Sequence, residues 1–288
     1  MKPDIQLLKK HLAAIARPRA PFENRETLLE VEEYITRELR SFKYEVEKAP
    51  FQFQGTKFHN LIAHTRHESY ETQWILGAHF DAVPGTDGAD DNASGVACLL
   101  EAARLLAGSK PASKIAFLFF NLEENGMIGS SHYVSGLKKA KIDIQGMLSL
   151  EMVGYTSQDK GSQHMPLYLK PFYPDTGNFL ALVGDTQSKA LLERAKKAFK
   201  KISGLPVETL TVPSKGWAFP ETRLSDHSSF WDAGYPALLV TDTSFFRNPH
   251  YHLPSDSVET LDLNFMAQVT EGVVRFANSF LAPAAQFE

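Results

Sequence analysis

Between Pro21 and Phe42 the apolar residues Leu28, Leu29, Val31, Ile35 and Leu39 recur at roughly helical spacing with charges filling the gaps, which predicts an amphipathic surface helix. Tyr44 to Phe53 and Asn60 to His64 then alternate or run apolar between polar breaks, as strands do, with Gln54-Gly55-Thr56 near the turn of a hairpin. Three compact apolar runs follow, Trp74 to Ala78, Ile115 to Phe120 and Met147 to Leu150. None alternates, so each reads as a strand buried on both faces, at the centre of an α/β sheet. Helices are predicted between them at Ser94 to Ala107 and Met127 to Leu137. Further strands fall near Phe179 to Val183, Val207 to Thr211 and Ala237 to Val240, with helices near Ser188 to Ile202, His227 to Asp232 and Leu263 to Leu281. No linker, repeat or low-complexity tract divides this alternation, so residues 1–288 are expected to form one α/β domain with helices on both faces of the sheet.

Composition narrows the partners. A hydrophobic content of 43% with 22% charge suits a soluble globular chain, and a net charge of -4 with pI near 6.2 argues against nucleic acid or an anionic membrane as the main partner. The Lys-rich stretches Lys138 to Lys141 and Lys196 to Lys201 lie at or beside predicted helices and read as solvated faces. Cys98 is the only cysteine, so no intramolecular disulfide can form, and its place in Val96-Ala97-Cys98-Leu99-Leu100 suits a small buried hydrophobe. The start, Met1-Lys2-Pro3-Asp4, leads into a charged helical pattern, and no run of about 18 apolar residues occurs. The expectation is a soluble, cytoplasmic protein whose oligomeric state the sequence does not set.

The candidate chemistry gathers beyond the carboxyl ends of the central strands, where open α/β sheets bind ligands. His79-Phe80-Asp81 follows the first; a metal-ligating imidazole needs its other nitrogen held, and His-x-Asp supplies both parts. Taken alone, a histidine at a strand end is more often a hydrogen-bonded surface residue. Gly88-Ala89-Asp90-Asp91-Asn92-Ala93-Ser94-Gly95 opens a helix, and one helix needs one cap, so one of the paired acids is in excess and could bridge two cations. Glu123-Glu124 follows the second strand, where adjacent carboxylates repel each other unless a cation is near. Glu151 ends the third with no basic neighbour in sequence. Asn248-Pro249-His250-Tyr251-His252-Leu253-Pro254-Ser255-Asp256 offers two imidazoles, and spacing does not choose between them.

With Ser225-Asp226-His227 added, these motifs, in this order from Trp74 to Asp256, resemble the co-catalytic zinc aminopeptidases, a family that also includes glutamate carboxypeptidases, glutaminyl cyclases and a non-enzymatic receptor ectodomain. The resemblance implies a three-layer α/β/α sandwich with a central mixed, mostly parallel sheet, a peptide substrate and two zinc ions per chain. It implies that His79 and Glu151 hold one metal, Glu124 and His252 the other, and Asp91 bridges them. Glu123 would be the general base and Asp81 the partner of His79, with His250 lining the pocket. Many members place a tyrosine shortly before Ser-Asp-His to stabilise the oxyanion; here the stretch reads Glu221-Thr222-Arg223-Leu224, so Arg223, the metals or another loop is expected to take that role. Two loops, Tyr155 to Asn178 and Val212 to Arg223, have the length that shapes pockets. A cyclase working with one zinc and a non-enzymatic binding module are the competing readings; His79 argues against the first and the complete ligand set against the second.

Overall fold

On each central strand, successive buried side chains enter two different cores. Ile75, Ala116, Leu118 and Met147 pack into one, while Leu76, Phe117, Phe119 and Leu148 pack into the other, as strands covered on both faces require. A computed structural model describes residues 2–65 and 74–281. Its eight strands are β1 (Tyr44–Phe53), β2 (Thr56–Thr65), β3 (Trp74–His79), β4 (Ile115–Phe120), β5 (Gly146–Glu151), β6 (Leu180–Asp185), β7 (Val207–Val212) and β8 (Ala237–Thr241). They form one sheet in the order β1-β2-β4-β3-β5-β8-β6-β7. The β3–β4, β3–β5, β5–β8 and β6–β7 pairs are parallel and the other three antiparallel, so the sheet is mixed and mostly parallel.

The larger core receives α1 (Ile5–Ile15), α2 (Arg25–Ser41), α3 (Gly95–Leu106), α5 (Lys189–Phe199) and α7 (Leu263–Asn278). The smaller one receives α4 (Ile128–Ala140) and α6 (His227–Asp232). The architecture is therefore the expected three-layer α/β sandwich. Cys98 is fully buried in α3. No helix among the described residues is long and apolar enough to cross a membrane.

Two boundaries differ from the sequence reading for physical reasons. β2 begins at Thr56 rather than Asn60, because Lys57 and Phe58 pair with Gln52 and Phe51 around the Gln54-Gly55 turn. The Phe51 and Phe58 rings stack 6.1 Å apart on the buried face. α2 begins at Arg25 rather than Pro21, since residues 21–24 form a turn. On the smaller core's side, β6 and β7 are roofed not by a helix but by the long loop between β5 and β6, and this vacancy in the helical layer becomes a cavity.

Candidate metal centre

Parallel pairing of β4, β3, β5 and β8 brings their carboxyl ends side by side, and with them His79, the loop after Phe120, and Glu151. His79 Nε2 lies 3.2 Å from Asp91 Oδ1, 3.3 Å from Glu151 Oε2 and 3.9 Å from Glu123 Oε2. The other Asp91 oxygen, Oδ2, lies 3.1 Å from His252 Nε2, which is also 3.5 Å from Glu124 Oε2. Asp91 thus faces two imidazoles with two oxygens. His79, Asp91 and Glu151 are buried, Glu123 and Glu124 are half-buried and His252 is exposed, and the four carboxylates line the cavity.

Neighbouring residues fix this arrangement. Asp81 lies 3.5 Å from His79 Nδ1 and accepts the backbone N–H groups of Glu123 and Glu124 at 3.1 and 3.2 Å, so one carboxylate sets both the imidazole and the acidic loop. Ser225 Oγ donates to Glu151 Oε2 at 2.8 Å. The Asn92 side chain donates to Leu150 O and accepts from the N–H groups of Gly95 and Met152, tying the acidic turn to the end of β5. Gly95 permits this approach: a Cβ there would stand 2.4 Å from Asn92 Oδ1 and 2.7 Å from Leu150 O. Asp256 accepts the N–H groups of Asp90 and Asp91. The paired acids are told apart by what they touch. Asp90 turns from the cluster and accepts from Gly154 N and Asn248 Nδ2 at 2.9 and 2.7 Å.

Sequence reasoning missed Arg19. It is fully buried, and its guanidinium donates to the carbonyls of Phe80, Asp87 and Gly88 at 2.8, 2.5 and 2.9 Å, holding the segment from His79 to Asp91 as a splint. Its one sequence signal is a charge between two prolines, Pro18-Arg19-Ala20-Pro21. Two residues expected to touch substrate are engaged elsewhere. Arg223 bonds Asp232 Oδ2 and Lys215 O, both at 2.7 Å, and stacks on Trp217, while His250 Nδ1 bonds Ser255 Oγ at 3.0 Å. Neither lines the cavity.

The cluster is short of positive charge. Burial, with the charges of Glu151 and Glu124 adding and His79 opposing, lifts Glu123 well above the usual carboxylate range. Burial and the charge of Asp91 lift Glu124 to about 7. Burial opposes a charge on His252, yet Asp91 and Glu124 outweigh it and raise the imidazole to about 10. No lysine or arginine among the described residues forms an ion pair with Asp91, Glu123, Glu124 or Glu151, and Glu124 Oε1 is buried without a hydrogen-bond partner. Nitrogen and carboxylate donors so arranged suit zinc. Beside them opens a cavity of about 420 Å³ whose walls are mainly apolar.

A rigid sheet edge that presents two imidazoles and four carboxylates at the mouth of an apolar cavity is the plan of a metal-dependent hydrolase. Residues 60–277 match the model of peptidase family M28. The chain belongs to that peptidase family. It is 33% identical to the uncharacterized protein YfbL of Escherichia coli (strain K12), covering 92% of this chain and 84% of that protein. It is 30% identical to a probable leucine aminopeptidase of Arthroderma otae, covering 80% and 58% of the two chains. Among solved structures it resembles BSAP, a zinc aminopeptidase from Bacillus subtilis, with TM-score 0.60 and 27% identity over 82% of this chain and 53% of that one. The chain thus spans little more than half of either named aminopeptidase. The Legionella pneumophila LapA aminopeptidase (TM-score 0.77, 20% identity, covering 98% and 70%) and the Porphyromonas gingivalis glutaminyl cyclase (TM-score 0.70, 21% identity, covering 96% and 97%) share the fold alone.

Proposed function

We propose that this protein is an aminopeptidase with two co-catalytic zinc ions, removing N-terminal residues from peptides. The observation that carries the reading is Asp91, whose two oxygens face His79 and His252 at 3.2 and 3.1 Å. His79 and Glu151 would hold one ion, Glu124 and His252 the other, with Asp91 shared. Bound zinc supplies Lewis acidity toward a scissile carbonyl and toward water.

The remaining work belongs to the chain. Glu123 lines the cavity and stands farther from His79 than Asp91 or Glu151 does, so it is free to take a proton from water and deliver it to the departing amine. Its raised pKa suits a group that must both accept and release a proton. Asp81 is a positioning residue, acting through the N–H groups of Glu123 and Glu124. Arg223 being occupied by Asp232, Tyr251 is the group we assign to the oxyanion. It lines the cavity, its ring stacks 3.7 Å from that of His252, and its hydroxyl has no hydrogen-bond partner among the described residues.

The test is elemental analysis of the purified protein together with hydrolysis of leucyl anilides. Two zinc per chain are expected, with activity lost to a chelator and restored by zinc. Glu123→Gln should retain the metal and lose on the order of a hundredfold or more in turnover. A protein that holds no stoichiometric zinc and cleaves no aminoacyl amide after zinc addition would refute the reading.

A further inference from the structure

The floor of the cavity follows from strand register. Glu151 on β5 pairs with Thr241 on β8, Thr241 with Ala181 on β6, and Ala181 with Glu208 on β7. Residues paired across a sheet point to the same face, so these four form one row, and all four line the cavity. The row starts at a proposed metal ligand and ends at another carboxylate three strand spacings away, roughly 14 Å. Leu239, Val183 and Leu210 form a parallel row beside it and make that stretch of floor apolar.

Glu208 is half-buried at the far wall and forms no hydrogen bond or ion pair among the described residues. β7 is an edge strand, where a charge on the outward face would serve solubility alone. The register instead turns Glu208 to the cavity, where it surrenders part of its hydration without a partner. Among the described residues no lysine, arginine or histidine lines the cavity, and Glu221, exposed at its margin, adds a further negative charge. The interval between the two ends of the row, once a carboxylate reaches inward from each, suits a long side chain with an aliphatic stem and a cationic tip.

Building on the aminopeptidase reading, we propose that Glu208 is a specificity-determining residue that selects substrates beginning with arginine or lysine. The stem of the substrate side chain lies over Ala181 and Val183, and its cation meets the Glu208 carboxylate. The zinc-loaded full chain is assayed on arginyl, lysyl and leucyl fluorogenic amides, and binding of argininamide and leucinamide is measured by calorimetry. Glu208→Gln should lower kcat/KM for the arginyl and lysyl amides about tenfold or more and weaken argininamide binding by a similar factor. Leucyl turnover should change by less than about twofold, since no charged contact is lost. Glu208→Lys should penalise the basic substrates further. An arginyl-to-leucyl ratio that both variants leave unmoved overturns the proposal while leaving the aminopeptidase reading intact. The reverse outcome, Glu208-dependent argininamide binding with no aminoacyl amide hydrolysed, supports the pocket and sinks the aminopeptidase reading.

Discussion

Replacing Arg19 with Met keeps an apolar stem in place but removes the fork that holds the carbonyls of Phe80, Asp87 and Gly88. Three carbonyls then lose a cationic donor. Each hydrogen bond to a charged group contributes about 1.5–3 kcal/mol, and the desolvation recovered by deleting a fully buried guanidinium offsets part of the sum. The net expected cost is about 4 kcal/mol, or roughly 7 °C in Tm for a chain of this size. Urea unfolding in the presence of a chelator measures it without the stabilisation that bound metal would add. Arg19→Lys should recover only part of the loss, because an ammonium lacks the planar fork that reaches three diverging carbonyls. Arg19→Met within about 1 kcal/mol of the parent would refute the splint, since even one charged hydrogen bond exceeds that figure.

Tyr251→Phe should lower kcat on leucyl anilides by roughly a hundredfold to a thousandfold with KM little changed, as removal of an oxyanion donor does; an unchanged kcat would return that role to another group. His11 gives a pH signature in stability. It is buried in α1 with Nδ1 2.8 Å from Tyr34 Oη and Nε2 unpartnered, and burial lowers its pKa to about 4. The folded state therefore favours the neutral ring: its contribution is complete above the unfolded value of about 6.5 and is lost as pH falls toward 4, by about 3 kcal/mol. Urea titrations at pH 7 and 4.5 should show this loss, and His11→Gln should flatten it; an equally steep fall in the variant would assign it to other groups.

The central strands were legible because burial on both faces forbids alternation, and Trp74–His79 and Ile115–Phe120 are apolar without a break until the site begins. The positions of His79, Glu123, Glu124 and Glu151 followed, since strand ends are where polar residues resume. Strand order was not legible. Nothing in the sequence of β6 announces that it runs antiparallel to β8, because its six residues are buried whichever way it runs. Asp90 and Asp91 were indistinguishable for a related reason. Both are buried, and only their partners, Asn248 for one and two imidazoles for the other, separate them. Arg223 shows how a nearby partner in space can go unread in the sequence. Its position beside the Ser-Asp-His motif suggested the site, but Asp232 on the next helix is within reach and takes it.

The Asp256 carboxylate, by accepting the N–H groups of Asp90 and Asp91, joins the loop that carries His252 to a turn laid down some 165 residues earlier in the chain. On the proposed ligand assignment, this makes the site a late event in the life of the polypeptide. A nascent chain that has not yet released residues 252–256 from the ribosome has the sheet-edge carboxylates and His79 but neither the last imidazole nor the carboxylate that fastens its loop. The order of residues along the chain thereby withholds the last proposed ligand until the strands that carry the others have been made.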